Sequence, residues 1–217
     1  MNILLRFLIK RHTTISFDIF DTLIERDVDK PDDIFYKVGI EIFHDADKAE
    51  SFRRARIQAE KISRQKQNGE VTLEQIYKEL DDIYRDYSQA LQEEEENQEV
   101  CSCYQKEKMK DAFEYAKASG KTVILISDMY LPKKTIVAML DKCNVTGYDY
   151  CYVSNEYGVN KISGKLFDLV VSEMMIKKTQ LLHVGDSIKA DFLGPIKSGI
   201  CPFLIGRKNR LMRFIHK

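Results

Sequence analysis

The amino-acid sequence predicts an α/β fold in which a helical region interrupts a five-stranded parallel sheet. From residue 120 onward, short apolar runs rich in β-branched residues alternate with helical patterns, which is the order expected of parallel strands joined by helical crossovers. One more run of this kind, Thr13 to Phe17, lies near the start of the chain. Residues 26–119 between them show almost only helical patterning. We therefore expect one α/β domain with a helical insertion after its first strand.

Size and charge balance limit the class of protein. A chain of 217 residues, 44% of them apolar, is long enough to bury one sizeable core and a smaller insertion. Its 34 acidic and 34 basic residues give no basic excess, so we expect no nucleic acid as a partner.

The segment from Met1 to Leu8 is apolar but contains Arg6, and it predicts a short amphipathic helix rather than a signal peptide. No stretch approaches the roughly 20 apolar residues that a transmembrane helix needs.

The cysteines give no sign of a disulfide framework or a zinc site. There are five of them, an odd number, and they are scattered along the chain. Cys101 and Cys103 form a C-x-C pair without the second pair that zinc-binding motifs usually supply. This usage indicates a reducing compartment, and we expect a cytoplasmic protein.

Helix signals divide the region between residues 26 and 119. Pro31 with two following acids predicts a helix start, because proline suits the first turn and acids suit the helix dipole. Thr72 predicts a second start as an N-cap. A last long helix is predicted from Gln89 to Ser119, ended by Gly120. Its acidic run from Glu93 to Glu96 is expected on the surface.

The remaining elements complete the sheet. Strands are predicted at Thr122 to Ser127, Asp149 to Val153, Gln180 to Val184 and Cys201 to Ile205, and helices at Lys133 to Lys142, Gly164 to Met175 and Ile188 to Ser198. With the first strand they give a Rossmann-like five-stranded parallel sheet with helices on both faces and right-handed crossovers. Pro195 removes a backbone donor and is expected to kink the last helix. The predicted domains are residues 1–25 with 120–217 for the core and residues 26–119 for the insertion.

A carboxylate at the end of the first strand is the candidate nucleophile. Asp18 ends the strand from Thr13 to Phe17 and is followed by Asp21 and Thr22. In an open parallel sheet, ligands collect outside the carboxyl ends of the strands. An aspartate in such a place is more often a turn former or a helix cap, so the interpretation depends on the segments that follow.

Three later segments favour the catalytic interpretation. Ser127 ends an apolar strand, Lys161 lies just ahead of a helical pattern, and Asp186 and Asp191 follow the strand that ends at Val184. A nucleophile, a hydroxyl, a lysine and an acidic pair, in this order and each after a strand, resemble the haloacid dehalogenase-like (HAD) superfamily. The resemblance extends over nearly the whole chain.

The sequences of three motifs resemble those of a narrower group within that superfamily. These are the segments from Ser16 to Leu23, from Ser127 to Pro132, and from Ser154 to Gly158 ahead of Lys161. The group consists of predicted hydrolases found with, or fused to, enzymes of surface-polysaccharide and glycosyl-transfer pathways. A glycosyltransferase or another protein of such a pathway is therefore an expected partner.

The resemblance implies a magnesium site. By this likeness Asp18 attacks phosphorus and also ligates Mg²⁺, the backbone carbonyl of Phe20 is a second ligand, and Asp186 is the third protein ligand. Asp191 would orient a metal-bound water or steady Lys161. Magnesium is the expected ion because the ligand set consists of oxygen atoms.

The resemblance also implies how a phosphoryl group is held. Ser127 would donate a hydrogen bond to a phosphoryl oxygen, and Lys161 would neutralise one and pair with the carboxylates. Lys165 is the competitor for the role of Lys161, but it is predicted to lie one turn inside a helix. We therefore expect Lys161 to be the catalytic lysine.

Phe20 departs from the pattern of the superfamily's phosphatases. Most of them carry a second aspartate two residues after the nucleophile, which protonates the leaving oxygen and then activates water. Loss of such an acid typically forfeits about 10²–10⁴ in rate. Three options follow: cleavage of a bond with a good leaving group, use of Asp21 as a displaced acid/base, or a weak or inactive relative. A dehalogenase is the least favoured option, because Asp186 and Asp191 indicate a magnesium site.

The overall expectation is a magnesium-dependent phosphohydrolase or phosphotransferase acting on a small phosphorylated metabolite, with a sugar phosphate as the narrower expectation. The insertion resembles the cap that many HAD proteins place over the active site. The alternative is a catalytically weak or inactive module whose helical insertion binds a partner. The insertion has basic residues that could reach an anionic substrate, namely Arg53, Arg54, Arg56, Lys61 and Arg64. Basic amphipathic patches at both termini leave open a solvated tail, peripheral membrane contact or docking to a glycosyltransferase.

Overall fold

The computed structural model of the protein describes residues 1–206, so the basic patch predicted near the C-terminus lies outside the described residues. A five-stranded parallel sheet in the order β5-β4-β1-β6-β7 forms the core, which confirms the predicted fold class. The strands are β1 Thr14–Phe17, β2 Ile24–Arg26, β3 Cys103–Gln105, β4 Thr122–Ser127, β5 Tyr150–Val153, β6 Leu181–Gly185 and β7 Cys201–Leu204.

Eleven α-helices accompany these strands within the described residues. They are α1 Ile3–Arg11, α2 Asp33–Phe43, α3 Ala46–Gln67, α4 Leu73–Lys78, α5 Asp81–Tyr84, α6 Ser88–Ser102, α7 Glu107–Ala118, α8 Lys133–Lys142, α9 Ser154–Tyr157, α10 Lys165–Glu173 and α11 Gly194–Lys197. In this part of the chain, no helix has both the length and the apolar character that crossing a bilayer requires.

The sheet is buried on both faces. Side chains alternate between the faces along a strand, and in β4 Val123 and Leu125 belong to one apolar cluster, whereas Ile124 and Ile126 belong to the other. All four are fully buried. This explains why β4 is continuously apolar in sequence, as strands of parallel sheets commonly are.

A two-stranded antiparallel sheet forms the base of the helical insertion. Strand β2 pairs antiparallel with β3, with Ile24 opposite Gln105. The predicted single helix from Gln89 to Ser119 is therefore wrong, because β3 separates α6 from α7. A three-residue strand is too short to show an alternating pattern, so the sequence of β3 does not interrupt the helical periodicity of its neighbours.

Helix α7 packs on the core sheet rather than on the insertion. The ring of Phe113 in α7 contacts that of Phe17 in β1, with their centroids 5.6 Å apart. We therefore propose that the helical insertion consists of α2 to α6 and ends at β3, instead of extending to residue 119.

The predicted helix cap at Thr72 is confirmed, and the predicted last helix is modified. Thr72 caps α4 in a capping box, in which the Gln75 N–H donates to Thr72 Oγ1 at 3.2 Å and the Thr72 N–H donates to Gln75 Oε1 at 3.0 Å. The predicted helix from Ile188 to Ser198 is instead a π-helical turn over Ile188–Leu193 followed by α11. Pro195 lies in the first turn of α11, where its missing N–H costs least.

Candidate active site

The carboxyl ends of three adjacent strands bring the candidate residues together. Strand β1 lies between β4 and β6, so that Phe17 is level with both Leu125 and Val184. Asp18 continues β1, and its backbone N–H donates to the Val184 carbonyl at 2.9 Å. Ser127 at the end of β4 is 1% exposed, and Asp186 follows β6.

Lys161 joins two of the predicted carboxylates. Its Nζ donates to Asp18 Oδ1 at 2.5 Å and to Asp191 Oδ1 at 2.6 Å. The side chain is 3% exposed. Its competitor Lys165 is exposed at the start of α10. The geometry therefore favours Lys161 over Lys165 as the proposed catalytic lysine.

The loop that carries Lys161 is fixed from two sides. The Lys161 N–H donates to both carboxylate oxygens of Asp128, at 2.9 and 3.1 Å. The Lys161 carbonyl lies so close to Gly194 that a Cβ there would come within 2.2 Å of the oxygen. Glycine at position 194 is therefore required by this close approach.

Asp191 is the most highly connected carboxylate of the site. Its Oδ2 accepts hydrogen bonds from the backbone N–H groups of Asp186 and Ser187, at 3.1 and 2.8 Å. Its Oδ1 accepts from Lys161 and contacts His183 Nε2 at 3.1 Å. These bonds hold Asp191 as a partner of Lys161, one of the two roles expected for it.

His183 is a member of this network that the sequence interpretation missed. It is fully buried in β6, and its Nδ1 lies 2.8 Å from Ser16 Oγ. Since burial, the largest effect, lowers its pKa, the imidazole is neutral at pH 7. A neutral ring that donates from Nε2 to Asp191 accepts at Nδ1 from the Ser16 hydroxyl. The signal available in sequence was one polar side chain within an apolar strand.

Burial and charge act in opposite directions on the acidic groups. Burial raises the pKa of Asp18 to about 7, although the nearby Lys161 ammonium acts to lower it. For Asp191 the charge of Lys161 and the contact with His183 together outweigh burial and lower its pKa. Burial also opposes the charge of Lys161, but Asp18 and Asp191 raise its pKa, so the ammonium form persists. The site therefore holds a permanent cation between its two carboxyl groups.

The donor set fits a magnesium ion. Asp18, Asp186 and Asp191 are all buried, and each offers one carboxylate oxygen within 4.8 Å of the others. A divalent cation would relieve the repulsion among these carboxylates. A set of hard oxygen donors matches the preference of Mg²⁺.

The turn after Asp18 leaves a backbone carbonyl oxygen available as a further metal ligand. The carbonyl of Ile19 accepts from the N–H groups of Leu23 and Ile24, at 2.8 and 3.0 Å. Among the hydrogen bonds of residues 1–206, none uses the Phe20 carbonyl as acceptor. This is compatible with the ligand role that the resemblance implies for it.

The side chain of Phe20 packs against a cation. The Arg26 guanidinium lies 4.4 Å from the centre of its ring. Glu99 binds Arg26 through two hydrogen bonds of 2.6 and 3.2 Å. Asp21, the candidate displaced acid, has a left-handed backbone with φ of 58°, and its carbonyl accepts a hydrogen bond from Lys106 Nζ.

The four arginines of α3 are held by carboxylates of the insertion. Arg56 is fully buried and binds Glu95 with two hydrogen bonds of 2.8 and 2.7 Å. The prediction that the run from Glu93 to Glu96 lies on the surface is therefore wrong for Glu95. Because a buried guanidinium needs a paired acid, Arg56 does not serve a substrate anion. Ion pairs also hold Arg53, Arg54 and Arg64.

A single carboxylate of the insertion contacts the segment before Lys161 and, through Ser154, reaches the segment after Ser127. Glu70 Oε2 accepts from Ser154 Oγ at 2.6 Å, and its Oε1 accepts from Asn160 Nδ2 at 3.3 Å. Ser154 Oγ accepts from the Met129 N–H at 3.0 Å. Glu70 thus connects the segment after Ser127 with the residue before Lys161, a role that no local sequence pattern signals.

Tyr130 is a second contact between the core and the insertion. Its ring lies 4.8 Å from the Arg56 guanidinium. Its carbonyl accepts from the N–H of Leu73 in α4 at 2.9 Å and from Asn155 Nδ2 at 2.9 Å. The segment that follows Ser127 is therefore packed directly against the insertion.

Comparison with known proteins agrees with this geometry. Residues 12–199 match the family of haloacid dehalogenase-like hydrolases. No match was found among curated proteins.

Solved structures share the fold at low sequence identity. The HAD-hydrolase YfnB from Bacillus subtilis, determined bound to magnesium, superposes with a TM-score of 0.64 at 15% identity, covering 94% of this chain and 98% of that chain. A dehalogenase gives a TM-score of 0.61 at 15% identity, with coverages of 91% and 86%. A predicted phosphoglycolate phosphatase from Haemophilus somnus gives 0.54 at 13% identity, with coverages of 90% and 85%. Identities this low support the shared fold and no more.

Proposed function

Because the chain belongs to the haloacid dehalogenase-like hydrolases, we propose that it is a magnesium-dependent phosphohydrolase or phosphotransferase with Asp18 as its nucleophile. The observation that carries the proposal is the buried cluster in which Lys161 binds Asp18 and Asp191 within reach of Asp186. Cleavage of a carbon–halogen bond involves no phosphoryl oxygens whose charge a metal ion would have to neutralise. The three carboxylates and the lysine instead suit the transfer of a phosphoryl group.

Each group of the site has a proposed part in the reaction. Within the described residues, Asp18 Oδ1 accepts a hydrogen bond from Lys161 Nζ. We therefore propose Oδ2 as the attacking atom. Oδ2 would form a bond to phosphorus while the bond to the leaving oxygen breaks, giving an aspartyl phosphate. Attack of water on phosphorus would then release phosphate and restore the carboxylate. In a phosphotransferase, an acceptor hydroxyl would replace that water.

Binding of the anionic substrate would depend on positive charge and on donors. We propose that Asp18, Asp186 and the Phe20 carbonyl would hold Mg²⁺, with Asp191 in support. The ion would reduce the repulsion between the nucleophile and the phosphoryl oxygens. Lys161 would neutralise one of these oxygens, and Ser127 would donate to another.

The side chain of Phe20 favours phosphate substrates that have a good leaving group. A phenylalanine cannot protonate a leaving oxygen, and the Arg26 guanidinium covers its ring. An acyl phosphate or an anhydride needs no such proton. The same residue favours the second candidate function, a catalytically weak module that binds a partner through its helical insertion.

The narrower assignment to surface-polysaccharide pathways rests on the sequences of the motifs alone. On this basis we propose to test sugar phosphates first as substrates and a glycosyltransferase first as a partner. All five cysteines are free and lie within the described residues, which supports the proposed cytoplasmic location.

A screen of phosphorylated metabolites with and without Mg²⁺ tests the proposal. We expect phosphate release that depends on Mg²⁺ and is lost in Asp18→Asn, because the amide keeps the shape of the side chain but cannot attack phosphorus. Asp168→Asn is the matched control, since Asp168 is half exposed and pairs with Lys178 on the surface. Unchanged turnover in Asp18→Asn would refute the nucleophile. No release by the wild type from any substrate would favour the partner-binding module.

A further inference from the structure

Helix α1 has one buried face and one exposed apolar face. Leu5 and Ile9 are buried at 2% and 0% exposure. Ile3, Leu4 and Phe7 are exposed at 88%, 58% and 52%. Residues three and four positions apart lie on the same side of a helix, so these three side chains form one patch, here called the α1 apolar face. Single exposed apolar residues are common, but three on one nine-residue helix indicate an interaction site.

Positive charge lies along the α1 apolar face, and the exposed Asp111 of α7 pairs with the Met1 amino group at 3.6 Å. The helix contains Arg6, Lys10 and Arg11, and residues 1–17 contain no acid. The Arg11 guanidinium lies 5.5 Å from the centre of the Phe7 ring, which places a charge directly beside the patch. The Lys121 ammonium donates to the Lys10 carbonyl at 3.1 Å and adds a further cation at the end of the helix.

The described part of the chain ends beside α1. Gly206, the last described residue, lines one cavity together with Asn2 and Leu5 of the α1 region. The sequence that continues from Gly206 contains five basic residues and no acid. Because the whole chain has equal numbers of acidic and basic residues, the part between these ends is net acidic. Residues 1–17 are therefore a basic segment of a chain without net charge, and this favours an anionic partner for α1.

We propose that the α1 apolar face docks on the surface of a lipid bilayer that contains anionic headgroups. Apolar side chains that project beside lysine and arginine are the features of helices that lie in the membrane interface, where apolar groups enter the acyl boundary and cations contact headgroups. A protein partner is less suited to the patch, because stable protein interfaces bury about 800 Å² on each side. Three side chains on one convex helix fall well short of that area.

Co-sedimentation of the full chain with lipid vesicles tests the proposal. The vesicles are pure phosphatidylcholine in one arm and contain about one-third phosphatidylserine in the other. We expect binding to the anionic vesicles only, with loss of binding as salt is raised. Ile3→Ser with Phe7→Ser, and separately Lys10→Glu with Arg11→Glu, should each reduce the partition coefficient about tenfold or more. These variants leave the buried Leu5 and Ile9 in place.

Two matched controls separate the patch from general effects. Ile83→Ser removes a side chain that is 69% exposed on the helical insertion, and it should bind vesicles like the wild type. Arg54→Glu with Lys78→Glu changes the net charge as much as the double reversal in α1, but at sites 77% and 66% exposed on the insertion. It should retain most of the binding. Melting curves verify that all variants are folded.

Four results would overturn the proposal. They are absence of wild-type binding to anionic vesicles, equal binding to neutral vesicles, unchanged binding of both α1 variants, and an equal loss in the control variants. Sedimentation velocity over a range of protein concentrations tests another occupant. Self-association that Phe7→Ser abolishes would assign the face to a second copy of the chain instead.

Discussion

Lys161 Nζ lies 2.5 Å from Asp18 Oδ1, so the candidate nucleophile is bound to a buried ammonium before any substrate arrives. The same nitrogen donates to Asp191. A cation that is shared by two carboxylates keeps its proton, and it holds Asp18 in one orientation. Lys161 therefore has both a structural role and a proposed catalytic role.

We expect Lys161→Ala to lower both stability and activity. Removing the ammonium leaves Asp18 and Asp191 buried without their cation, a change that typically costs about 3–5 kcal/mol of unfolding free energy. Phosphate release should be lost in the folded fraction as well. Urea denaturation and release assays measure the two effects. Lys165→Ala is the control and should change neither, since Lys165 is exposed. The reverse pattern would assign the catalytic role to Lys165.

Magnesium should stabilise the wild type by mass action. An ion that binds only the folded state adds about 2.7 kcal/mol at a concentration 100 times its Kd. Differential scanning fluorimetry with Mg²⁺ and with a chelator measures the shift. Asp186→Ala should abolish it, whereas Asp168→Asn should not. If the shift survives Asp186→Ala, Asp186 is not a ligand.

The stability of the metal-free protein should depend on pH through Asp18. Burial raises the pKa of Asp18 to about 7, whereas an unfolded chain loses this proton near pH 4. Between these values the folded state binds more protons than the unfolded state, so this group's contribution falls as pH rises through the window. Mg²⁺ binds the ionised carboxylate, so its stabilising effect should grow as pH rises toward 7 and above. Unfolding free energies of the wild type and Asp18→Asn across this range, with and without Mg²⁺, measure the difference. Parallel curves would contradict the shift.

Glu70 should couple the insertion to both catalytic loops. Glu70→Ala leaves Ser154 Oγ and Asn160 without their acceptor, and we expect a loss of about 1–3 kcal/mol. Hydrogen exchange should increase at residues 128–131 and 154–161, and turnover should fall because Ser127 and Lys161 lose support. Glu74→Ala is the matched control, at 74% exposure on the same insertion. Unchanged exchange in both segments would show that Glu70 only fills space.

Sequence patterns locate groups that follow strands better than groups that meet across elements. Asp18, Ser127 and Asp186 were predictable because each ends an apolar run, and the carboxyl ends of parallel strands share one edge. The pairing of Arg56 with Glu95 was not predictable, because the two residues lie on separate helices and both look like surface charges. The pairing of β2 with β3 was not predicted either, since a strand of three residues shows no alternating pattern.

Phe20 should decide which leaving groups the protein can expel. If the protein is a phosphatase that lacks only an acid at this position, Phe20→Asp should raise hydrolysis of an alkyl phosphate more than that of an aryl or acyl phosphate, since only an alkoxide needs a proton as it leaves. Phe20→Asn is the matched control, equal in size but without a carboxyl proton. Steady-state rates on the three substrate types, with a melting curve for each variant, measure the effect.

The position of Arg26 makes the expected gain dependent on pH. A carboxyl at residue 20 would face the guanidinium that now covers the ring, and this charge would favour the ionised form. The variant should therefore gain most at low pH, where the acid still carries its proton. If Asp21 already supplies the proton, Asp21→Asn should depress the alkyl substrate selectively and Phe20→Asp should add little. Equal rates in Phe20→Asp and Phe20→Asn on every substrate would show that a carboxyl at this position cannot reach the leaving oxygen.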